Sequence, residues 1–399
     1  DANGIVPIAS DGDVVLQVTH ATHAFSLTHA FRVRSCSLKR HSKYFARLLE
    51  PGRFSEAAHI ERTHAALHGI YGDVSAAPSD ELPKIEVEDL GRTSDVRALD
   101  ALLTDFLSIL HDAGAPWSPP VANLANIAIV ADRFDALGAV KDYVLEKNVI
   151  KHIDSRTTSK QDAALTEEKT RQRLLIAILL NHGPWLEKYS ARLLSKRWVG
   201  SDLVDLSSAL WWDLPSRVEE ELSLRSTAIL NTIASLQSHF LELYTSRARQ
   251  CKLGYDSSPQ CDSFQLGEML RFFTRTQTLG FHSALTAHEP EQSGPAFVGD
   301  LPTLLDTLRQ VPEYQIDKFH SHCGIRTRLV PLLDVVQECL RHVGLCADCW
   351  SRDREGYAWT DAPAPSVWKR PDFHLRGYGH ETRHAEVRDM FLAKRREWT

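Results

Sequence analysis

Three features that would assign this chain to a familiar class of protein are missing. Its longest strongly apolar run, Leu174 to Leu180, is far shorter than the roughly 20 residues of a membrane helix, so we expect no membrane-spanning segment. The net charge is −6 with no long block of either sign, which gives no basic footprint for nucleic acid. The 7 cysteines are an odd number and do not indicate a disulfide framework. They favour a reducing compartment, the cytoplasm or the nucleus.

Recognisable catalytic motifs are also missing. There is no Gly-rich phosphate loop, no Gly-x-Ser-x-Gly elbow, and no kinase or dinucleotide-binding pattern. Glu61, His64 and His68 would share one helix face, but they lack the Glu of a His-Glu-x-x-His metal site, and we favour a solvated polar face. The sequence assigns no catalytic residue. An enzyme stays open only as a cleft near Trp211 and Trp212 in a helical region.

What the chain does have begins with an alternation of apolar and polar residues near its start. Such a period of two predicts two strands, each with one buried face. Ser35 then stands at the position of a helix N-cap, and apolar residues follow at helical spacing until Pro51-Gly52 ends the run. The alternating apolar residues are Val14, Leu16, Val18, Phe25, Phe31 and Val33.

This order resembles the opening of a BTB/POZ domain. The residues that carry the resemblance are Asp13-Val14, Phe31, Val33, Leu38, Ser42, Phe45 and Phe54-Ser55-Glu56. Arg34 departs from the pattern, because the family usually has His there. The match continues through a short strand at Ile85 and Val87 and two amphipathic helices, so it covers residues 11–150. The sequence Ala131-Asp132-Arg133-Phe134 and the helical region that follows are most like the fungal BTB proteins.

The resemblance implies an α+β N-terminal domain, a small sheet capped by helices, at 11–150. After it we predict a mostly α-helical domain at 160–312 and a C-terminal helical segment at 313–399 with a zinc-binding module. Residues 57–84 look like an insertion loop between the Phe-x-Glu element and the next strand. In the helical region, an apolar seam and four tryptophans predict a bundle core, with a ligand cleft as the alternative. The seam is Ile229, Ile233, Leu236, Phe240 and Leu243, and the tryptophans are Trp185, Trp198, Trp211 and Trp212.

BTB domains as a family act through their surfaces, which implies a function for this chain. They dimerise, dock other proteins, and in some cases present a substrate-binding region to a cullin ubiquitin-ligase scaffold. Phe54 and Glu56 match the hydrophobic-x-Glu element that touches the scaffold in such adaptors. An exposed ring beside a carboxylate suits an interaction hot spot, whereas the alternative is a Phe54 packed beneath the sheet. We therefore expect a protein-interaction adaptor or scaffold, more a binding protein than an enzyme.

The strongest local signal for chemistry is Cys346-Ala-Asp-Cys349. Two thiolates at this spacing fold around one metal ion, and a tetrahedral zinc site needs two more ligands. His380 and His384, one helical turn apart, are the ligands we predict, and His374 can replace either of them. A hairpin between residues 357–359 and 366–368 would complete an order that resembles a treble-clef zinc site. With four protein ligands the zinc would be structural.

An alternative pair of ligands lies upstream, in His320-Ser-His322-Cys323. A continuous helix from Ile325 to His342 would hold Cys323 and Cys346 apart, unless Pro331 begins the helix and the preceding residues form a returning loop. His322 and Cys323 therefore stay as secondary candidates. A third interpretation is that the cysteines are reduced core thiols without a metal.

The C-terminal stretch from 367 to 399 offers a second functional class. It has eight Lys or Arg against five Asp or Glu and ends in Lys394-Arg395-Arg396. Beside a zinc module this composition is compatible with a nuclear regulator that binds nucleic acid. We favour a solvated helix, because the basic residues are largely balanced by acids.

Overall fold

The computed structural model describes residues 4–21, 26–94, 99–112, 119–199, 208–278, 299–370 and 377–398. The chain packs as two compact units. The first contains 1–185 with 202–216, and the second contains 186–201 with 217–399. The fold class is confirmed at the level of a small N-terminal sheet followed by a mostly helical region. The division into independently folding domains at 11–150, 160–312 and 313–399 stays a prediction.

The first unit is built on a four-stranded mixed sheet. Its strands are β1 (Ile5–Pro7), β2 (Val14–Ala21), β3 (Ser26–Val33) and β4 (Lys84–Val87). Their order is β1-β3-β2-β4, with β2 and β3 antiparallel and the two outer strands parallel to their neighbours. In this register Leu16 lies opposite Phe31 on one side and Ile85 on the other. The two predicted strands are therefore confirmed, and they pair as an antiparallel hairpin at the centre of the sheet. Phe25 lies outside the described residues.

Nine helices of the first unit lie within the residues that the structure describes, and some of them pack against the sheet. They are α1 (Ser35–His41), α2 (Lys43–Leu48), α3 (Ser55–Tyr71), α4 (Leu99–Leu110), α5 (Val121–Arg133), α6 (Leu137–Glu146), α7 (Val149–Arg156), α8 (Ser159–Ala163) and α9 (Glu167–Leu179), with 3-10 turns at Val74–Ala76 and Leu210–Trp212. The prediction that Ser35 is the N-cap of α1 is wrong by one position, because Arg34 is the N-cap residue and Ser35 is the first helical residue. Both the Ser35 N–H and the Ser35 hydroxyl donate to the Asp13 carboxylate, at 2.7 and 2.6 Å. Asp13 thus joins the first strand of the hairpin to the first helix.

The sheet has one buried face, as predicted, and its second face is also covered around Val15, whereas Lys84 and Glu86 of β4 on that face are exposed. Val14, Leu16 and Val18 point to one face and are almost fully buried. Val15 points the other way and is also fully buried, in a cluster with Leu67 of α3. Residues 57–84 are therefore not an insertion loop, because α3 and the following turn form the second layer. Arg32 stabilises this layer by donating to the Ser75 carbonyl at 2.7 Å.

The second unit is helical and centred on one long helix. Helix α10 (Gly183–Lys196) begins in the first unit and continues in the second. The other elements are α11 (Val218–Thr245), α12 (Ser258–Arg275), α13 (Leu301–Arg309), α14 (Arg326–Leu340), α15 (Ala347–Arg352), α16 (Arg354–Tyr357), β5 (Val367–Lys369), α17 (His380–Leu392) and β6 (Arg395–Glu397). Helix α11 contacts α12, α14 and α17. Ile229, Ile233, Leu236 and Phe240 are buried along it, which confirms the predicted bundle core.

Candidate metal centres and a candidate docking surface

Two groups of cysteines and histidines within the described residues are able to hold a metal ion. The first group is Cys346, Cys349, His380 and His384, and its ligand atoms all lie within 4.8 Å of one another. Cys346 Sγ is 3.2 Å from His380 Nε2, and Cys349 Sγ is 3.4 Å from His384 Nδ1. The structure therefore brings together the four ligands predicted from the sequence. We call this group the Cys2His2 centre.

Two helix beginnings supply the ligands of the Cys2His2 centre. Cys346 is the N-cap residue of α15, and Cys349 lies inside its first turn. His380 is the first residue of α17, and His384 follows four residues later on the same face. The spacings of three and four residues are those that align side chains on a helix, so this part of the site was readable from sequence.

Tyr357 forms two hydrogen bonds with the backbone of the segment that carries Cys346. The Tyr357 hydroxyl accepts a hydrogen bond from the Cys346 N–H at 2.9 Å and donates to the Gly344 carbonyl at 3.0 Å. Burial raises the pKa of Tyr357, so its hydroxyl keeps the proton that it donates. The backbone around the first cysteine is thus fixed on both sides.

A buried ion pair on α11 holds the same segment. The Arg225 and Glu221 side chains are 1% and 0% exposed and lie 2.7 Å apart. Glu221 accepts hydrogen bonds from the backbone N–H groups of Trp359 and Thr360, and Arg225 donates to the Val343 carbonyl. The central helix therefore contacts the chain both before and after the CxxC motif. The sequence gives no signal for this pair, because Glu-x-x-x-Arg is usually an exposed helix pair.

Burial shapes the protonation of the Cys2His2 centre. Burial lowers the pKa of His384 to about 4, with nearby His380 adding to the effect, so the imidazole is neutral at neutral pH and has a lone pair for a metal. Burial and the adjacent Cys346 sulfur raise the pKa of Cys349 to about 12. A bound dication reverses the second effect, because a coordinating thiol is deprotonated.

The second group is Cys251, Cys261, His320 and Cys323, whose ligand atoms also lie within 4.8 Å of one another. We call it the Cys3His centre. Cys251 Sγ is 3.8 Å from Cys323 Sγ and 3.6 Å from His320 Nδ1. Cys261 and His320 are 0% exposed. Burial raises the pKa of Cys261 to about 12. Burial also acts to raise the pKa of the Cys251 thiol. Hydrogen bonds from Ser258 and the Leu253 backbone outweigh burial and lower this pKa to about 7.

Sequence reasoning missed most of the Cys3His centre. Cys251 and Cys261 were not among the predicted ligands, and His320 is 69 residues from Cys251 in the chain. The available signal was His320-x-x-Cys323, a half-site with the same spacing as the CxxC motif. Its partner could not be identified because the intervening elements determine which half-sites meet.

The secondary ligand candidates and the treble-clef arrangement need correction. Cys323 belongs to the Cys3His centre and not to the Cys2His2 centre. His322 has a 77% exposed side chain paired with Glu313, and it is in neither group. His374 lies outside the described residues. The predicted hairpin between residues 357–359 and 366–368 is wrong, because α16 ends at Tyr357 and β5 instead pairs in parallel with β6.

Pro331 does not begin a helix, as one alternative required. Helix α14 runs from Arg326 through Pro331 without a returning loop.

The basic C-terminal residues are partly used inside the fold, since Arg396 donates to the Met390 and Phe391 carbonyls at the end of α17. Burial lowers the pKa of Arg396 to about 10, in line with a structural contact.

The tryptophans divide between core and surface. Trp185 and Trp211 are buried in the first unit, as a bundle core predicts, whereas Trp212 is 39% exposed. Arg171 lies over the Trp212 ring at 5.6 Å.

A cavity of about 450 Å³ lies beside the Cys2His2 centre and not beside these tryptophans. It is lined by Asp348, Cys349, Arg352, Asp353, Gly356, Tyr357, His380, Glu381, Thr382, His384, Ala385 and Arg388.

The predicted docking residues lie at the beginning of α3. Phe54 is its N-cap residue, and its side chain is 44% exposed, so it does not pack beneath the sheet. The Arg53 guanidinium lies 5.8 Å from the Phe54 ring. Glu56 is exposed in the first helical turn and accepts a hydrogen bond from the Ser55 hydroxyl. His64 of the same helix contacts the Asp13 carbonyl through its ring at 2.8 Å, which gives this histidine a structural partner.

Comparison with known proteins adds no relative: no family model, no curated protein and no solved structure matches this chain. Within the part of the chain that the structure describes, no helix has both the length and the apolar character needed to cross a membrane.

Proposed function

We propose that this chain is a protein-interaction adaptor with a BTB/POZ-like N-terminal module and a C-terminal unit stabilised by structural zinc. The observation that carries the adaptor function is the exposure of Phe54 beside Glu56. Single exposed apolar side chains are common on protein surfaces, and Phe54 is singled out because it matches the family's hydrophobic-x-Glu element and lies beside an exposed carboxylate. A cullin-type ubiquitin-ligase scaffold is the partner that the family resemblance favours.

The module's motif residues make contacts that support a BTB/POZ-like arrangement. Ser42 caps α2 by accepting from the Phe45 N–H and also donates its hydroxyl proton to the Phe134 carbonyl at 2.6 Å. The Phe45 and Phe134 rings stack with centroids 5.2 Å apart. The motif Leu-x-x-x-Ser-x-x-Phe therefore joins α2 to the end of α5, where the Ala-Asp-Arg-Phe sequence lies.

The docking surface, defined as Arg53, Phe54 and Glu56, has the chemistry of a small hot spot. The ring can enter an apolar pocket, while the flanking opposite charges fix the orientation of the partner. Helix α3 leaves this surface open, because it runs away from Phe54 and packs Leu67 against the sheet.

Substitution of Phe54 tests the adaptor function. We expect Phe54→Ala to weaken binding to a cullin-type scaffold at least about tenfold, because the ring supplies most of the apolar contact. The measurement is isothermal titration calorimetry on the full chain. The matched control is Ile70→Ala, since Ile70 lies on the same helix and is 70% exposed.

Two outcomes would contradict the adaptor proposal. One is equal affinity of Phe54→Ala and Ile70→Ala for the scaffold. The other is an unmodified chain that binds no scaffold and remains a monomer at high concentration in native mass spectrometry. A dimer that dissociates on Phe54→Ala would instead identify a second copy as the occupant of the docking surface.

The Cys2His2 centre is the structural zinc site of the proposal. Two thiolates and two neutral imidazoles form a ligand set that zinc prefers, and four protein ligands leave no position for water or substrate. The ion would join α15 to α17, two elements far apart in sequence. Its role is therefore to stabilise the C-terminal unit, and reduced thiolates fit a cytoplasmic or nuclear location.

Zinc content of ligand variants tests this site. We expect Cys349→Ser and His384→Ala each to lose one zinc ion per chain, with a lower unfolding temperature, because the shell loses a ligand. Cys36→Ser is the control, since Cys36 is exposed and outside both groups. Inductively coupled plasma mass spectrometry provides the measurement. The proposal fails if Cys349→Ser and Cys36→Ser retain the same zinc content and stability.

A further inference from the structure

The Cys3His centre lies outside the proposed function and needs its own explanation. Three cysteines and one histidine from three separate stretches converge on a buried point. Reduced thiols gain little from such convergence, and burying several polar ligand atoms together is costly unless something pairs with them. The distances within the centre allow a specific assignment.

The observed distances match a tetrahedral zinc ion. Bond lengths of about 2.3 Å for zinc–sulfur and about 2.0 Å for zinc–nitrogen put two sulfurs about 3.8 Å apart, and a sulfur and a nitrogen about 3.5 Å apart. The Cys251–Cys323 sulfur pair is at 3.8 Å, and the Cys251 Sγ to His320 Nδ1 distance is 3.6 Å. A disulfide requires sulfurs about 2.05 Å apart and would use only two of the three cysteines.

The imidazole of His320 is oriented for metal binding. Its Nε2 lies 2.8 Å from the Ser257 hydroxyl oxygen, so Nε2 is engaged and Nδ1 faces the sulfurs. A metal-bound histidine characteristically uses its other nitrogen to donate to an oxygen, which fixes the ring and the tautomer. Ser257 supplies such an oxygen.

The backbone that carries the cysteines is also fixed. The Asp262 carboxylate accepts hydrogen bonds from the N–H groups of Gln250 and Cys251, at 2.9 and 2.8 Å. The Tyr244 hydroxyl donates to the Cys323 carbonyl at 3.2 Å. Arg328 of α14 donates to both oxygens of Gln250. These contacts join the end of α11, the start of α12 and the start of α14 around the centre.

We propose that Cys251, Cys261, His320 and Cys323 bind a second structural zinc ion, distinct from that of the Cys2His2 centre. Three thiolates select a soft or borderline metal over magnesium or calcium, and the complete shell leaves no open position for catalysis. The ion fixes the otherwise irregular segments 246–257 and 310–325 to the central helix.

Zinc stoichiometry of the full chain tests the second site. We expect two zinc ions per chain in the native mass spectrum of the unmodified protein, and one in Cys323→Ser. Cys323 is the ligand of choice because it is only partly buried. Cys36→Ser should retain two zinc ions. Cys349→Ser should lose the other ion, so failure of the first site and failure of the second give different patterns.

A measurement on the unmodified chain covers the case in which a variant does not fold. X-ray absorption at the zinc edge should give an average of about 2.5 sulfur ligands per zinc, since one site has three thiolates and the other two. An average of about 2 sulfurs with one zinc per chain would overturn the proposal. So would a Cys251–Cys323 disulfide in protein purified without reductant, detected as a mass lower by two hydrogens.

Discussion

At the scale of single residues, the side chains that position the zinc ligands matter as much as the ligands. Glu221 accepts two backbone hydrogen bonds from the segment after the CxxC motif and neutralises Arg225 in the core. The Arg225 guanidinium also lies over the Tyr357 and Trp359 rings, at 5.1 and 4.8 Å. In a buried site, removing one member of such a pair costs more than the pair itself contributes.

Neutralising Glu221 tests this residue-scale role. We expect Glu221→Gln to lower the free energy of unfolding by about 3 kcal/mol, because Arg225 would be left as an uncompensated buried charge. Chemical denaturation of the full chain, followed by tryptophan fluorescence, gives the value. Glu220→Gln is the control, since Glu220 pairs with Arg217 at an exposed position and should change stability by less than about 0.5 kcal/mol. Similar losses in both variants would contradict the assigned role.

At the scale of elements, the beginnings of helices position several of the candidate metal ligands. Four of the ligands lie at or beside helix beginnings: Cys346, Cys349, His380 and Cys261. The spacing within each helix was visible in the sequence, and the pairing of α15 with α17 was predicted correctly. The strand partner of β5 was not, because a three-residue strand has no register signal and its partner β6 lies at the far end of the chain.

Substituting Asp300 tests how much the cap at one helix beginning contributes to stability. Its carboxylate caps α13 by accepting from the Thr303 N–H at 2.8 Å and pairs with Lys196 at 2.7 Å. Hydrogen bonds from Lys196 and Thr303 lower the pKa of Asp300 from 3.8 to about 2. A lowered pKa in the folded state contributes stability above pH 3.8, and that stability is lost as the pH falls toward 2.

We therefore expect Asp300→Asn to reduce stability at pH 7 by about 1–2 kcal/mol, because asparagine preserves the cap but loses the charge. The difference from the unmodified chain should shrink as the pH is lowered from about 4 to about 2. Unfolding curves across this range provide the measurement. Asp306→Asn, at an exposed position on the same helix, should show neither effect. A loss that is constant with pH would disprove the charge-based explanation.

At the scale of the whole molecule, each compact unit has its own means of stabilisation. The first has a sheet with one buried apolar face, and helix α3 also covers the second face around Val15, so that Val14 and Val15 point in opposite directions and are both at 0% exposure. The second has a long central helix around which irregular segments are arranged, and both candidate metal centres lie in it. Long irregular segments bury little apolar surface for the entropy they lose, so metal ions are an effective way to fix them.

The sequence by itself determined the features that depend on local periodicity. The two central strands, the apolar seam of α11 and each pair of ligands in the Cys2His2 centre follow from spacings of two, three or four residues within one element. Apart from the pairing of α15 with α17, the tertiary structure alone decided which distant elements meet. It covered part of the second face of the sheet with α3, placed Glu221 against the CxxC segment, and brought Cys251 and Cys261 to His320 and Cys323. Local spacing is fixed by backbone geometry, whereas encounters between distant segments depend on the packing of the whole unit, and no short pattern in the chain records them.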